Sequence, residues 1–328
     1  MTHRFVSCLL ATLLGAAAAG AAPSDPTPIV IGTGPISGFS YPLGGELCRL
    51  YEKTLPAKAT CLIASTDGSI DDIKRLRDGD ISFAIVQSDV AAQAVTASGP
   101  FAGAPPFTTL RAIVGLYPDS LTILIRADGP IKRLDDMKGK RVAVGEPGMP
   151  EPLFGDLLDG LGWTKADLGG VVEMPRGQQA AALCGGKISA IALSAPHPNG
   201  FVRQALGTCP LTVLDLGGPA LTAVLAGHKA FGPATIDLGL YGADTAKQVK
   251  SFGPRAVLVT TTEADPQVIG RILSAISQHT EDLKRAHPAF SALNVDLLAS
   301  KAGLGVERHP IADKFFADYA VRQAPAGR

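Results

Sequence analysis

Residues 29–51 read IVIGTGPISGFSYPLGGELCRLY, and their pattern decides the class of fold. Ile29, Val30 and Ile31 are β-branched and bounded by a proline and a glycine, which predicts a short buried strand. Gly32, Gly34 and Gly38 then let the backbone turn tightly and come close to a ligand. Leu43, Leu47 and Leu50 follow at helical spacing. Strand, glycine turn and helix start together aim N–H groups and a positive dipole end at one point, where a small anion fits. The same geometry also serves as a plain βα turn that binds nothing.

Upstream, Arg4 precedes an uncharged run from Phe5 to Ala19, and Ala19-Gly20-Ala21 offers small residues at a cleavage point. Residues 1–21 are therefore expected to be a secretory signal peptide removed before Ala22. Their Ala- and Gly-rich second half is too weakly apolar for a membrane span. Taking 21 from 328 residues leaves 307, more typical of two compact units than one. The chain carries 30 basic and 30 acidic residues, and loss of Arg4 leaves a formal −1. That balance gives no electrostatic footprint for nucleic acid or an anionic membrane.

The remaining cysteines, Cys48, Cys61, Cys184 and Cys209, form an even set, as an oxidising compartment favours. Three pairings are possible, and the neighbours in sequence, Cys48–Cys61 and Cys184–Cys209, are the simplest. Zinc is the alternative, but no C-x-x-C and no nearby His has ligand spacing.

Further along, Ala59–Thr66 predicts a strand and Asp67-Gly68 a turn. Ser69 and Asp72 resemble a capping box for a helix striped by Ile70, Ile73 and Leu76. Ile81–Val86 is a nearly continuous apolar strand running into Gln87-Ser88-Asp89, polar residues where open α/β sheets bind ligands. Leu121–Arg126 and Arg141–Gly145 predict strands, the second turning through Glu146–Met149 into a helix opened by Pro152. This repeats the opening design in what reads as a second lobe. Gln178–Cys184 is expected as helix; Ile188–Leu193 and Leu211–Leu216 are expected as strands. Pro219–Phe252 shows little periodicity and predicts loop and short helix. Arg255–Thr262 predicts a strand, Asp265-Pro266 begins a helix expected to end before Pro288, and Lys314–Tyr319 a short last helix. Hinges are expected near Arg126–Gly129 and within Leu216–Arg255.

The order of motifs resembles the solute-binding proteins of TRAP transporters, TAXI subfamily, from Ile29 to about Tyr319. The resemblance rests on the glycine loop with Tyr41-Pro42 and Gly44-Gly45, on Ser65–Ser69, Gln87-Ser88-Asp89 and Leu116-Tyr117-Pro118, and on Gly139–Val142, Pro147-Gly148 and His197-Pro198. One branch of that family carries cysteines matching these four, which favours the neighbour pairing. The resemblance implies an α/β, two-lobed periplasmic-binding-protein fold of type II. Each lobe would be a mostly parallel sheet flanked by helices, with the ligand in the interlobe cleft. Lobe 1 would be residues 22–127 plus 223–328, and lobe 2 residues 128–222.

The implied protein is a periplasmic monomer without cofactor, metal or catalysis, handing a small carboxylate or amino acid to a TRAP membrane permease. Implied ligand contacts are Gly34, Ser37, Gly38, Tyr41, Thr66, Gly68, Ser69, Gln87 and Ser88 from the first lobe. The second would add Pro147, Gly148, Met149, His197 and Asn199. The chain departs from the family pattern at Pro35, Ser40, Asp67, Met149-Pro150 and Pro196, which points to a ligand smaller or less polar than glutamate.

An enzyme is the weaker reading. Gly32, Gly34 and Gly38 are spaced one residue too long for G-x-G-x-x-G. The sequence also lacks G-x-S-x-G, S-x-x-K and H-E-x-x-H. His228, His279, His287 and His309 are scattered, as surface or capping residues are. A binding protein that signals to a membrane sensor kinase would share the fold, so this chain alone does not separate sensing from transport.

Overall fold

The structure, a computed structural model, describes residues 28–54, 60–147, 151–242 and 247–323. The expected signal peptide, and Gly148 and Met149, lie outside these residues. The strands are β1 (Ile29–Gly32), β2 (Cys61–Ala64), β3 (Phe83–Gln87), β4 (Leu110–Pro118), β5 (Ser120–Arg126), β6 (Arg141–Val144), β7 (Gly170–Val172), β8 (Ala190–Ala195), β9 (Leu211–Val213), β10 (Phe231–Asp237) and β11 (Gln248–Thr261). The helices are α1 (Ser40–Lys53), α2 (Ser69–Asp78), α3 (Ser88–Thr96), α4 (Pro152–Gly160), α5 (Arg176–Cys184), α6 (Gly200–Leu206), α7 (Pro219–Gly227), α8 (Pro266–Gln278), α9 (Thr280–Ala286), α10 (Val295–Ala299) and α11 (Pro310–Gln323).

Two sheets result. The first runs β10-β11-β3-β1-β2 with β4 also on β11, and the second runs β7-β6-β8-β5-β9. In the first, β2, β1 and β3 are parallel and β11 runs antiparallel to β3, β4 and β10. In the second, β7, β6 and β8 are parallel, while β5 runs antiparallel to β8 and β9. Each sheet is thus a parallel trio completed by antiparallel strands.

The continuous apolar run of β3 has a simple cause. Phe83 and Ile85 pack on the α1 and α8 side with Leu43, Leu47 and Ile272, while Ala84 and Val86 face Ile73 and Ala91 on the other. A strand covered on both faces has no polar side to show. Disulfides join Cys48 to Cys61 and Cys184 to Cys209, separated by 13 and 25 residues. Loop-closure entropy gives such bridges about 3 and 3.5 kcal/mol respectively.

Several expectations change. Pro219–Phe252 is not mainly loop, for it holds α7, β10 and the start of β11. In β10, Ala234 and Ile236 point inward while Pro233 and Thr235 are exposed, a period-two pattern hidden by proline and glycine. Pro233 is tolerated because β10 is an edge strand. The helix from Pro266 breaks at His279, and the last helix extends over Pro310–Gln323. Ile70 is 40% exposed and leaves the α2 stripe. The capping box is also absent: Gly68 is the N-cap, without a side-chain cap. Asp72 turns inward to accept from Thr66 Oγ1 at 2.8 Å, and Ser69 Oγ accepts from Gln87 N at 3.0 Å.

The chain passes between the sheets at Asp119, which separates β4 from β5, and again within β11. Asp119 N donates to Pro254 O at 2.8 Å, so the two passages are bonded to each other. A Cβ on Gly253 would lie 1.9 Å from Asp119 O, which is why glycine stands there. Arg126–Gly129, expected as a hinge, lies instead at the far end of β5, where Ala127 N bonds Pro210 O.

Candidate functional site

Two cavities meet at this crossing. The smaller, about 170 Å³, is walled by the glycine loop (Thr33–Pro35, Gly38–Ser40), by Gly68, Ser69 and Asp72, and by Tyr117 and Pro196. The larger, about 780 Å³, opens between α3 and Asp89 on one side and Glu151–Leu153, Asp156, Ser194 and Ala226–Phe231 on the other. Gln87 and Asp119 line both.

The first jaw is β1, the glycine loop and α1. Gly34 holds a positive φ of 72°, which favours glycine, and its N–H donates to Thr66 Oγ1 at 3.0 Å. Gly68 N shares that acceptor at 3.3 Å, and Gly38 N donates to Pro35 O at 2.8 Å. The three glycine N–H groups are therefore spent on holding the loop. The first turn of α1 itself has no side-chain cap and faces the smaller cavity through Phe39 and Ser40. Ser40 Oγ and Tyr117 Oη are 3.0 Å apart.

Beneath the loop lies Asp72, wholly buried, with Oδ2 lacking a protein partner among the described residues. Burial pushes its carboxyl up to about 7, against the opposing pull of the Thr66 hydroxyl.

The second jaw repeats the plan with β6, a turn and α4, but with different chemistry. Its N-cap is Glu151, whose carboxylate accepts from Ser194 N at 2.6 Å and from Ser194 Oγ at 2.5 Å. The side chain makes no hydrogen bond to the N–H groups of α4, yet a carboxylate beside a helix N-terminus is favourable to its dipole.

Asp119 sits between the jaws. Its Oδ2 accepts from Gln87 Nε2 at 3.1 Å, while Oδ1 is enclosed and has no protein partner among the described residues. Enclosure raises its carboxyl to about 7, and the neighbouring charges of Glu151 and Asp89 add to the rise. Burial also raises Asp89, countered by the Val90 N–H, and Asp156, countered by His228 at 3.7 Å. Among the described residues, no group of three His, Cys, Asp or Glu side chains is placed to hold a metal ion.

The structure therefore divides the residues expected at the site. Gly34, Gly38, Gly68 and Ser69 line the smaller cavity and Gln87 lines both. Thr66 is buried and holds the loop from behind. Ser37 and Pro147 are exposed, and neither they nor Tyr41 lines either cavity. Ser88 is fully buried, donating to Ala230 O at 2.7 Å and accepting from Arg255 N at 2.9 Å.

His197 and Asn199 are occupied inside the second sheet's own packing. Thr122 Oγ1 donates to Ser120 O, so His197 Nε2–H must donate to Thr122 at 2.8 Å. Nδ1 then accepts from Tyr241 Oη at 2.5 Å, and Tyr241 accepts from Asn199 N at 2.8 Å. Burial lowers His197 to about 4, which keeps this ring neutral. Asn199 Oδ1 caps α6 through Phe201 N and Val202 N. Asp119 and Glu151 were missed from sequence; the available signal was a lone acid separating two apolar strands, and an acid just ahead of a helix-opening proline.

Residues 31–318 match the NMT1-like family. The chain belongs to it. Similar solved structures include a TctC solute-binding protein from Polaromonas, without ligand. It is 20% identical with TM-score 0.52, and the match covers 79% of this chain and 86% of that one. Another is the periplasmic sulfonate-binding protein SsuA of a putative sulfonate ABC transporter from Methylobacillus flagellatus KT. It is 14% identical with TM-score 0.50, covering 92% and 87%. This NMT1-like chain thus has the fold of type II periplasmic solute-binding proteins, two sheets with flanking helices. Among the described residues no helix is long and apolar enough to cross a membrane.

Proposed function

We propose that the protein is a periplasmic solute-binding protein that closes on a small amino acid or carboxylate-bearing solute and delivers it to a membrane permease of the TRAP type. The observation that carries this reading is the junction of two cavities at Gln87 and Asp119, beside the two bonded chain passages between sheets. Two passages held together at one place suit a hinge, and a ligand touching both jaws stabilises the closed form by differential binding. We take the lobes as meeting where the chain crosses at Asp119 and Gly253, which serves as the pivot. Strand β5 then belongs to the second lobe, and the boundary moves from residue 127 to Asp119. A carboxylate would sit against the uncapped first turn of α1. No metal, cofactor or covalent chemistry is invoked. TRAP delivery rests on the resemblance of motifs alone, while membership in the NMT1-like family supports the coarser solute-binding reading.

The test is thermal unfolding of the purified protein against amino acids, amines, carboxylates, keto acids and sulfonates. Ligand at about 100 times its dissociation constant adds about 2.7 kcal/mol of stability. A protein that no small solute stabilises would not be a solute-binding protein.

A further inference from the structure

The polar inventory of the cleft is lopsided. Among the described residues, three buried oxygens lack a protein hydrogen-bond partner: Gln87 Oε1, Asp89 Oδ1 and Asp119 Oδ1. All three residues line the larger cavity, and two of them also line the smaller. An unsatisfied buried acceptor is costly, and three at one place call for donors from outside the protein. The donors expected in the glycine loop are already bonded, as are both Glu151 oxygens. The larger cavity is lined by four carboxylates, Asp89, Asp119, Glu151 and Asp156, against an exposed Lys229 and His228. Two of the four come from α4 and its cap, so closing the cleft brings like charges together unless a cation lies between them.

Resting on the solute-binding reading above, we infer that the ligand carries a protonated nitrogen group, an ammonium or guanidinium, seated between Gln87, Asp119 and Glu151. Its N–H donors satisfy the orphan oxygens, and its charge removes the repulsion that resists closure. A metal ion is the poorer occupant, since no three carboxylates converge on one point among the described residues. A solute with carboxylates alone leaves the three acceptors unpaired and adds negative charge to an acidic cleft. The departure of this chain from a glutamate site then lies in charge as well as in size.

The experiment compares two sets of probes by thermal shift and calorimetry at pH 8. One contains amino acids and amines such as lysine, arginine, 4-aminobutyrate and cadaverine. The other contains glutarate, 2-oxoglutarate, citrate and alkanesulfonates, with calcium alone as a further arm. Binding confined to the nitrogen-bearing set is expected, and Asp119→Asn should weaken the best of these at least about tenfold. That variant should fold, because it removes a charge that enclosure disfavours. Wild-type affinity should rise as pH increases from 6 to 8, and the variant's should change much less. A nitrogen-free solute or calcium binding as tightly, or an unaltered affinity in Asp119→Asn, overturns the inference and leaves the solute-binding reading standing. No binding in any arm overturns both.

Discussion

The two jaws follow the same plan, strand to turn to helix, yet they are chemically unlike. In the first, the glycine loop folds back on itself around Thr66 and Asp72, and the start of α1 stays uncapped. In the second, Glu151 stands at the N-cap position of α4, but its carboxylate is held by Ser194 of β8 and not by the helix's own N–H groups. A repeated motif thus prescribes a shape for the cleft without prescribing its charge. The first jaw is built over a buried carboxyl it would rather keep neutral, whereas the second presents a carboxylate with its partners already supplied.

This contrast is broken most directly at Asp72. Its carboxyl is raised to about 7 in the folded protein against 3.8 in the unfolded chain. Between those values the folded state holds a proton that the unfolded state lacks. Stability from this group is therefore complete below about pH 4 and is lost as pH rises through 7. Three units correspond to about 4 kcal/mol, an upper figure for a single group. Asp72→Asn keeps an oxygen for the Thr66 hydroxyl and removes the titration. Chemical denaturation from pH 5 to pH 8.5 should show a flatter profile, with the variant more stable than wild type at the alkaline end. The slope left over belongs to the other buried acids: Asp119, Asp89 and Asp156. Of these, Asp119 is faced by Gln87 from β3, Asp89 from α3 and Glu151 at the start of α4. An unchanged profile in Asp72→Asn would mean that the loop is not built over a protonated acid.

The parts of the molecule legible in the sequence are those governed by local rules. The apolar run of β3, the leucine stripe of α1 and the proline start of α8 each announce their element, and each is found. Charge partnership was not legible, because it depends on which strand ends meet. Asp119 and Glu151 are 32 residues apart and sense one another only after two sheets have formed. His197 shows the reverse failure. Flanked by prolines at a strand end, it reads as a binding residue, but the fold brings Thr122 and Tyr241 to its two nitrogens.

His197→Ala should therefore act on stability alone. It removes a buried ring and leaves Thr122 and Tyr241 without their partner, a loss of about 1–3 kcal/mol. Ligand affinity measured by calorimetry on the folded variant should stay within about twofold of wild type. A tenfold loss of affinity with intact stability would return the imidazole to the ligand.

The smallest effects come from the hydroxyls on each jaw, and they separate the two most finely. Ser40→Ala removes the partner of the Tyr117 hydroxyl, and Ser194→Ala removes one of the two donors to Glu151. Each should cost about 1 kcal/mol of stability, the usual net worth of one hydrogen bond. Their consequences for binding differ. With Ser194 shortened, Glu151 retains only the backbone N–H and its carboxylate gains freedom, so a nitrogen cation held against it binds several-fold less tightly. With Ser40 shortened, the Tyr117 hydroxyl is released toward the smaller cavity, which Asp119 also lines but Glu151 does not, and affinity for the same probe should move less than in Ser194→Ala. The reverse ranking would put the recognised group at the glycine loop, and the second jaw would then supply only the wall that closes over it.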